Sequence, residues 1–405
     1  MELIDGIAVF GDPIEANALD QMRRTKSHAA VRAAALMADH HKGYAVPIGG
    51  VVAYDGAISP AGVGFDIACG NKAVLTDMPA ADARAGIAKI MDEITATISF
   101  GVGRRNAERV DHELFDDPAW SVIKHLQLRD KAANQLGTVG SGNHYVDVFT
   151  DEQDRVWVGV HFGSRGFGHG IATWALKAGG ASDGMDVEPL VLSVDSDLGA
   201  DYIAAMKLAG RYAYAGRDWV CDRVVKILGA HTLDEVHNHH NFAWMEQHRG
   251  QDVWVVRKGA TPAFPGQRGF VGGSMGDDAV ILVGIDPKDN PMAAAVNQEA
   301  ALFSTVHGAG RVMSRNAARG RRKKVGGRWE DDPLHPGRIS RDDMHRWIAK
   351  RGVVLRGADT DEAPQAYKRL PDVLRHHSGT VRIMHTLSPI GVAMAGAGEF
   401  DPYKD

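Results

Sequence analysis

Asp66 and Cys69 lie three residues apart in the string GVGFDIACG, residues 62–70. Glycines bracket them, so the backbone can turn sharply and aim a carboxylate and a thiol at one point. Such a pair is half of a metal site; the competing reading is a buried cysteine beside a turn-forming aspartate. A second glycine string, GTVGSGNHYVD at 137–147, delivers His144 and ends in Asp147. A third, VHFGSRGFGHG at 160–170, ends a β-branched run in His161 and carries Arg165, a side chain able to hold phosphate through two parallel N–H bonds. VHNHHN at 236–241 crowds His237, His239 and His240 together. Adjacent imidazoles cannot all ligate one ion, so some of them belong to its surroundings. VHGAGR at 306–311 sets His307 before small residues that admit a ligand closely. Any one of these histidines alone reads best as a satisfied structural group. Five clusters supplying Asp66, Cys69, His144, His161, His240 and His307 do not.

Several familiar chemistries are missing. There is no C-x-x-C pair, no H-E-x-x-H, no EF-hand loop and no G-x-x-x-x-G-K-[ST]. The lysine-centred K-x-D-G of nucleotidyl-transferring ligases is also absent. A covalent nucleotide would therefore need another nucleophile, and a neutral histidine nitrogen can serve. Between Arg311 and Arg328 stand eight basic residues (Arg311, Arg315, Arg319, Arg321, Arg322, Lys323, Lys324, Arg328) and no acidic one. On a chain of net charge −5 this is a strong local field, suited to a phosphate backbone. The bland alternative is a solvated charge run.

The elements that must position these groups read as a mixture. Hydrophobic residues make up 44% and charged residues 24% of 405, the balance of a globular chain with a sizeable core. Two cysteines exclude a disulfide scaffold and suit a reducing cytoplasm. No apolar run is long enough for a membrane span, and the start MELIDGIAVFGDP lacks a signal-type pattern, so a cytoplasmic location is expected. Apolar spacing predicts helices over 14–41, 81–98, 118–135, 201–228, 341–350 and 364–377. VWVGV (156–160), VWVVR (253–257), VILVGI (280–285) and VRIMHTL (381–387) read as buried strands. The order is irregular and no linker divides the chain. The expectation is α+β, one large mixed-sheet domain over 1–405, with a basic, weakly periodic excursion at 316–345.

The strings GVGFDIACG, GSGNHYVDV, HFGSRGFGHG, HHNFAWMEQH, RKGATPAFPGQRGFVGGSMG, HGAGRVMSR and DEAPQAYK resemble the RtcB family of tRNA-splicing RNA ligases, from about residue 40 to about 395. That resemblance implies joining of an RNA 3′-phosphate or 2′,3′-cyclic phosphate to a 5′-hydroxyl, using GTP and two manganese ions. It implies Asp66, Cys69, His144, His161 and His240 as metal ligands and His307 as the carrier of GMP. Asn143, Asp147, Ser274, Met275, Gly276, Gly308 and Gly310 would frame the nucleotide, and Arg165 and Arg311 the RNA 3′-phosphate. An archease-type activator is the further partner it suggests. Ligand type alone would favour zinc, so manganese comes from the resemblance. Two departures stand out: Asp147 replaces the family's common Glu, and the ending GVAMAG (391–396) lacks its lysine, with only Lys404 beyond. The rival readings are a hydrolase that uses the same metals and a non-catalytic RNA-binding relative.

Overall fold

The computed structural model describes residues 1–182, 184–326 and 328–396. Lys404 and the side chains of Lys324 and Arg328 lie outside the described part. Two large sheets carry the fold, and helices pack against both of them. The first sheet orders its strands Glu2–Ile4, Ile7–Val9, Val31–His41, Ile48–Tyr54, Gln251–Lys258, Asn241–His248. The second runs Thr232–His239, Gly70–Pro79, Arg155–Phe162, Tyr145–Asp151, Val381–Gly396, Ala279–Gly284, Arg268–Val271, with Val354–Ala358 pairing parallel to Val381–Gly396. This is the mixed helix-and-strand class expected, and three of the helices fall where their periodicity puts them: Ala80–Thr97, Asp197–Leu228 and Arg341–Lys350.

Alternation fixes which face of the second sheet is covered. Val156, Val158 and Val160 point to one side, where Val220, Cys221 and Val224 of the long helix and Ile90, Met91 and Ile94 of Ala80–Thr97 meet them. Trp157 points the other way, into Phe149, Phe270 and Leu387. A third apolar layer joins the sheets: Ala35, Met37, Val51 and Val255 pack against Val271, Val280 and Leu282.

The helix expected over 14–41 ends early. Ala16–Lys26 is helical, and Val31–His41 is a strand between Ile7–Val9 and Ile48–Tyr54. Its run of alanines favours helix intrinsically, but residues 34–40 are buried throughout, and an inner strand covered on both faces needs small or apolar side chains without alternation. The span 118–135 is helical only as short 3-10 turns followed by Arg129–Gln135, and 364–377 shortens to Leu370–Arg375. The segment at 316–345 folds as the helix Arg315–Arg319, the hairpin Gly320–Val325 with Arg328–Pro336, and the start of Arg341–Lys350. Ala318, Ile339, Met344 and Ile348 tie it into a common apolar cluster with Met275 and Met394.

Candidate functional site

The clustered residues are strand ends. Gly70 pairs with both His239 and Phe162, and His161 pairs with Asn71 and Tyr145. Cys69, His144 and His240 each flank one of these paired residues, so the register alone brings them together. His240 sits where the chain leaves the second sheet at His239 and enters the first at Asn241. Its backbone N–H donates to the Cys69 carbonyl at 2.8 Å. Gly64 at φ +92° and Ala68 at φ +60° let the 64–70 turn close on itself, with Cys69 N–H donating to Asp66 O at 3.0 Å.

Cys69 Sγ lies 3.7 Å from Nε2 of both His144 and His161. The ligating atoms of these three lie within 4.8 Å of one another. Asp66 Oδ2 is 3.1 Å from His144 Nε2, and the His240 ring stacks on His161 with centroids 5.1 Å apart. Asn71 amide N–H donates to Phe270 O, so its oxygen is left to accept from His161 Nδ1–H at 2.6 Å. That fixes the tautomer and leaves the His161 Nε2 lone pair facing the thiol. Burial holds His161 and His240 well below the usual imidazole range, hence neutral and ligand-competent. Burial, then the Asp66 carboxylate, pushes the Cys69 thiol up; a bound cation would reverse that order. Burial would raise Asp66 too, but the hydrogen bond and charge of His144 and the charge of Arg165 keep it low. Nδ1 of His144 and of His240, both buried, have no hydrogen-bond partner. The glycines here are steric: a Cβ on Gly163 would sit 2.3 Å from an Asp66 oxygen, and one on Gly140 2.2 Å from His144 Nδ1.

His307 stands beside this cluster, its ring 4.9 Å from that of His240. Its Nδ1–H donates to Asp39 Oδ2 at 2.6 Å and its backbone N–H to the same oxygen at 3.0 Å. Asp39 is fully buried, which would raise its pKa, but its electrostatic contact with His307 and the two N–H hydrogen bonds it accepts from that residue hold it low. With Nδ1 committed, His307 Nε2 carries the free lone pair. Lys368 Nζ donates to the carbonyls of Ala38 and His40 and so pins the strand that holds Asp39.

Asp66, Cys69, Asn71, His144, His161, His240 and His307 line one cavity of about 830 Å³, with Asp39 and Lys368 outside its lining. Asn143, Asp147, Ser274, Met275, Gly308, Gly310, Arg165 and Arg311 line it as well. Asp147 is buried with one carboxylate oxygen unpartnered, and burial raises its pKa strongly. Gly276 stands behind the wall at φ +83°, where a Cβ would meet Ile348 at 2.9 Å.

Arg311 is largely committed inward. Of its five N–H donors, four go to Met313 O, Glu362, the Tyr367 hydroxyl and Asp361 O. Arg315 also donates to Glu362, and Arg319 lies within 4.0 Å of Asp359 and Asp361. Arg322 and Lys323 face Asp331 and Asp332 across the hairpin at 3.6 Å. Five of the eight basic residues, Arg311, Arg315, Arg319, Arg322 and Lys323, thus face carboxylates from later in the chain, beyond the window in which the run reads as unopposed. Burial would raise Glu362, but Arg315 and Arg311 hold it at about 2. Glu362→Gln therefore removes the buried counter-charge of two half-buried guanidiniums and should destabilise by about 1–3 kcal/mol at neutral pH. A depressed carboxylate contributes stability above its unfolded pKa and loses it on acidification. The gap between wild type and variant in urea melts should accordingly narrow between roughly pH 4.5 and about pH 2; a pH-independent gap would remove the ionic explanation.

Arg217 and Asp39 carry no motif. Arg217, fully buried in the long helix, donates to the carbonyls of Ala68 and Phe162 at 3.0 and 2.6 Å and to His237 and His239 at 2.8 and 2.9 Å. It grips the residue before Cys69, the residue after His161 and the neighbour of His240. No carboxylate lies within 4.0 Å of it among the described residues. A guanidinium can only donate, so His237 and His239 accept as neutral rings. Arg217→Met should weaken metal uptake about 10–100-fold, the usual cost of losing an outer partner. Equilibrium dialysis against Mn²⁺ or Co²⁺ measures it, and unchanged affinity in a folded variant would leave Arg217 a packing residue. Asp39 was hidden by the helix expected over 14–41; the local signal was the acidic–imidazole string Asp39-His40-His41.

The family model described as tRNA-splicing ligase RtcB matches residues 21–126 and 119–395. The chain is 30% identical to the RNA-splicing ligase RtcB of Escherichia coli K12, over 94% of this chain and 94% of that protein. It is 30% identical to the tRNA-splicing ligase RtcB of Archaeoglobus fulgidus, over 94% and 91%. The RNA-splicing ligase RtcB of Mycobacterium tuberculosis is 30% identical over 89% and 96%. With the family model covering the strand ends that build the cluster and relatives aligned along nearly the whole chain, the protein belongs to the RtcB family.

Proposed function

We propose that this chain, acting as one domain over 1–405, is an RNA ligase that joins 3′-phosphate or 2′,3′-cyclic phosphate ends to 5′-hydroxyl ends with GTP and manganese. The observation that carries the reading is His307, oriented by buried Asp39, on the same cavity wall as Cys69, His144 and His161. The donor set fits a cation pair: a thiol, a carboxylate and three imidazoles, with buried ring nitrogens otherwise unpartnered. Asp66, Cys69, His144, His161 and His240 would hold the two ions, which when bound neutralise phosphate charge and favour in-line displacement.

The residues then divide the work. His307 Nε2 attacks the α-phosphorus of GTP: an N–P bond forms, the bond to the β-phosphate oxygen breaks, and pyrophosphate leaves. Asp39 stabilises the positive charge that grows on the ring, as a triad aspartate does for its histidine. An oxygen of the RNA 3′-phosphate next displaces His307, giving an RNA 3′-guanylate; the 5′-hydroxyl attacks the RNA phosphorus and GMP leaves. A cyclic end first adds water. Arg165, and Arg311 through its remaining N–H, would hold the terminal phosphate. Asn143 reaches toward His161, and Asp147, Ser274, Met275, Gly276, Gly308 and Gly310 would shape the guanylate pocket.

Incubation with radiolabelled GTP and Mn²⁺, then denaturation, should leave an acid-labile label on the protein, and the unlabelled enzyme should seal matched RNA ends. Cleavage of cyclic phosphate with neither label nor joining would instead favour the hydrolase reading.

A further inference from the structure

A second cleft of about 520 Å³ opens beside the helix Arg341–Lys350, lined in part by Met313, Arg338, Asp343, Arg346, Trp347 and Lys350. It adjoins the main cavity, and Met313 lines both. Trp347 links them a second time: the Arg369 guanidinium lies 4.2 Å from its ring centre, and Arg369 pairs at 2.7 Å with Asp277 on the main cavity wall.

The charge of this cleft differs from that of the basic hairpin. Arg346 is paired with Asp343, but Arg338 and Lys350 have no carboxylate within 4.0 Å among the described residues. Both are exposed, and both reach the cleft. Two unopposed cations beside a half-buried indole and a thioether make the combination that single-stranded nucleic acid favours, cations on the phosphates and an aromatic face under a base. An apolar ligand would gain nothing from the cations. Adjacency to the cavity proposed to hold the RNA end favours RNA over an acidic protein.

We propose that this cleft carries the RNA strand leading away from the 3′-phosphate, with Arg338 and Lys350 on its phosphates and a base against Trp347. The inference rests on the RNA-ligase reading and extends it from the end being joined to the body of the strand.

The test is fluorescence anisotropy with a labelled twenty-nucleotide single-stranded RNA bearing a 3′-phosphate, titrated across salt. Arg338→Gln with Lys350→Gln should lower affinity at least about tenfold near 0.1 M salt and reduce the log–log salt slope by about 1.4, roughly 0.7 for each phosphate no longer neutralised. Neutralising Arg321, Arg322 and Lys323 should change the slope less, since two of these face Asp331 and Asp332. Independently of any variant, 5-iodouridine placed near the 3′ end of the RNA should photocross-link wild-type protein at Trp347. A folded double variant with unchanged affinity and slope, or cross-links confined elsewhere, overturns the proposal. So does a double variant that keeps RNA but releases an acidic protein partner. If wild-type protein neither binds RNA nor takes label from GTP, it is the ligase reading that fails.

Discussion

His307→Ala yields a folded, metal-binding protein that takes no label from GTP and leaves 3′-phosphate RNA unjoined. The expected loss of joining is on the order of 10⁶-fold, the scale seen when a covalent nucleophile is removed. The ring donates through Nδ1 to Asp39 and touches the metal cluster only through its packing on His240. Metal content should therefore stay near wild type. RNA that already carries a 3′-guanylate should still be sealed to a 5′-hydroxyl end, because that displacement needs no nitrogen carrier, only alignment and charge. Joining of uncapped 3′-phosphate RNA by the variant would sink the central mechanistic claim.

Cys69→Ala fails earlier, at metal uptake. The thiol lies equidistant, at 3.7 Å, from two imidazole nitrogens, so its loss opens the middle of the donor set. Affinity should fall by more than about 100-fold, beyond what loss of an outer partner costs. Joining and labelling should disappear together and recover partly at high Mn²⁺. With Co²⁺, the wild type should show a thiolate charge-transfer band that the variant lacks. Cys221→Ala is the control: this cysteine belongs to the apolar cluster with Val220 and Val224 against the sheet and does not line the cavity, and its loss should cost about 1 kcal/mol of stability with the rate unchanged. A variant at Cys69 with wild-type metal content would withdraw the thiol from the site.

Much of the site was legible because its residues sit in glycine-rich strings at strand ends, where both composition and position are unusual. Val156 to Val160 could be recognised as a buried strand from β-branched content, and His161 follows it directly. Asp39 was not legible: Ala33 to Met37 favour helix in isolation, and only pairing with Ile48–Tyr54 and Ile7–Val9 makes them a strand. Arg217 was invisible for a different reason. Its acceptors are backbone carbonyls and histidines from distant segments, and no local spacing encodes a side chain that reaches Ala68 and Phe162. The basic run shows the same limit, since Glu362, Asp359 and Asp361, which face Arg315 and Arg319, come some forty residues later.

The strand Val381–Gly396 lies inside the second sheet, between Tyr145–Asp151 and Ala279–Gly284, although it is the last-synthesised of the described strands. A ribosome must therefore release almost all of the preceding chain before the gap between those two neighbours can be filled. Until then Tyr145–Asp151 exposes an unpaired edge, the form in which strands recruit the wrong neighbour. Nascent chains of this protein should be open, nucleotide-free and dependent on holdase chaperones until translation passes residue 396, and premature termination within that strand should produce aggregates, not a weakened enzyme.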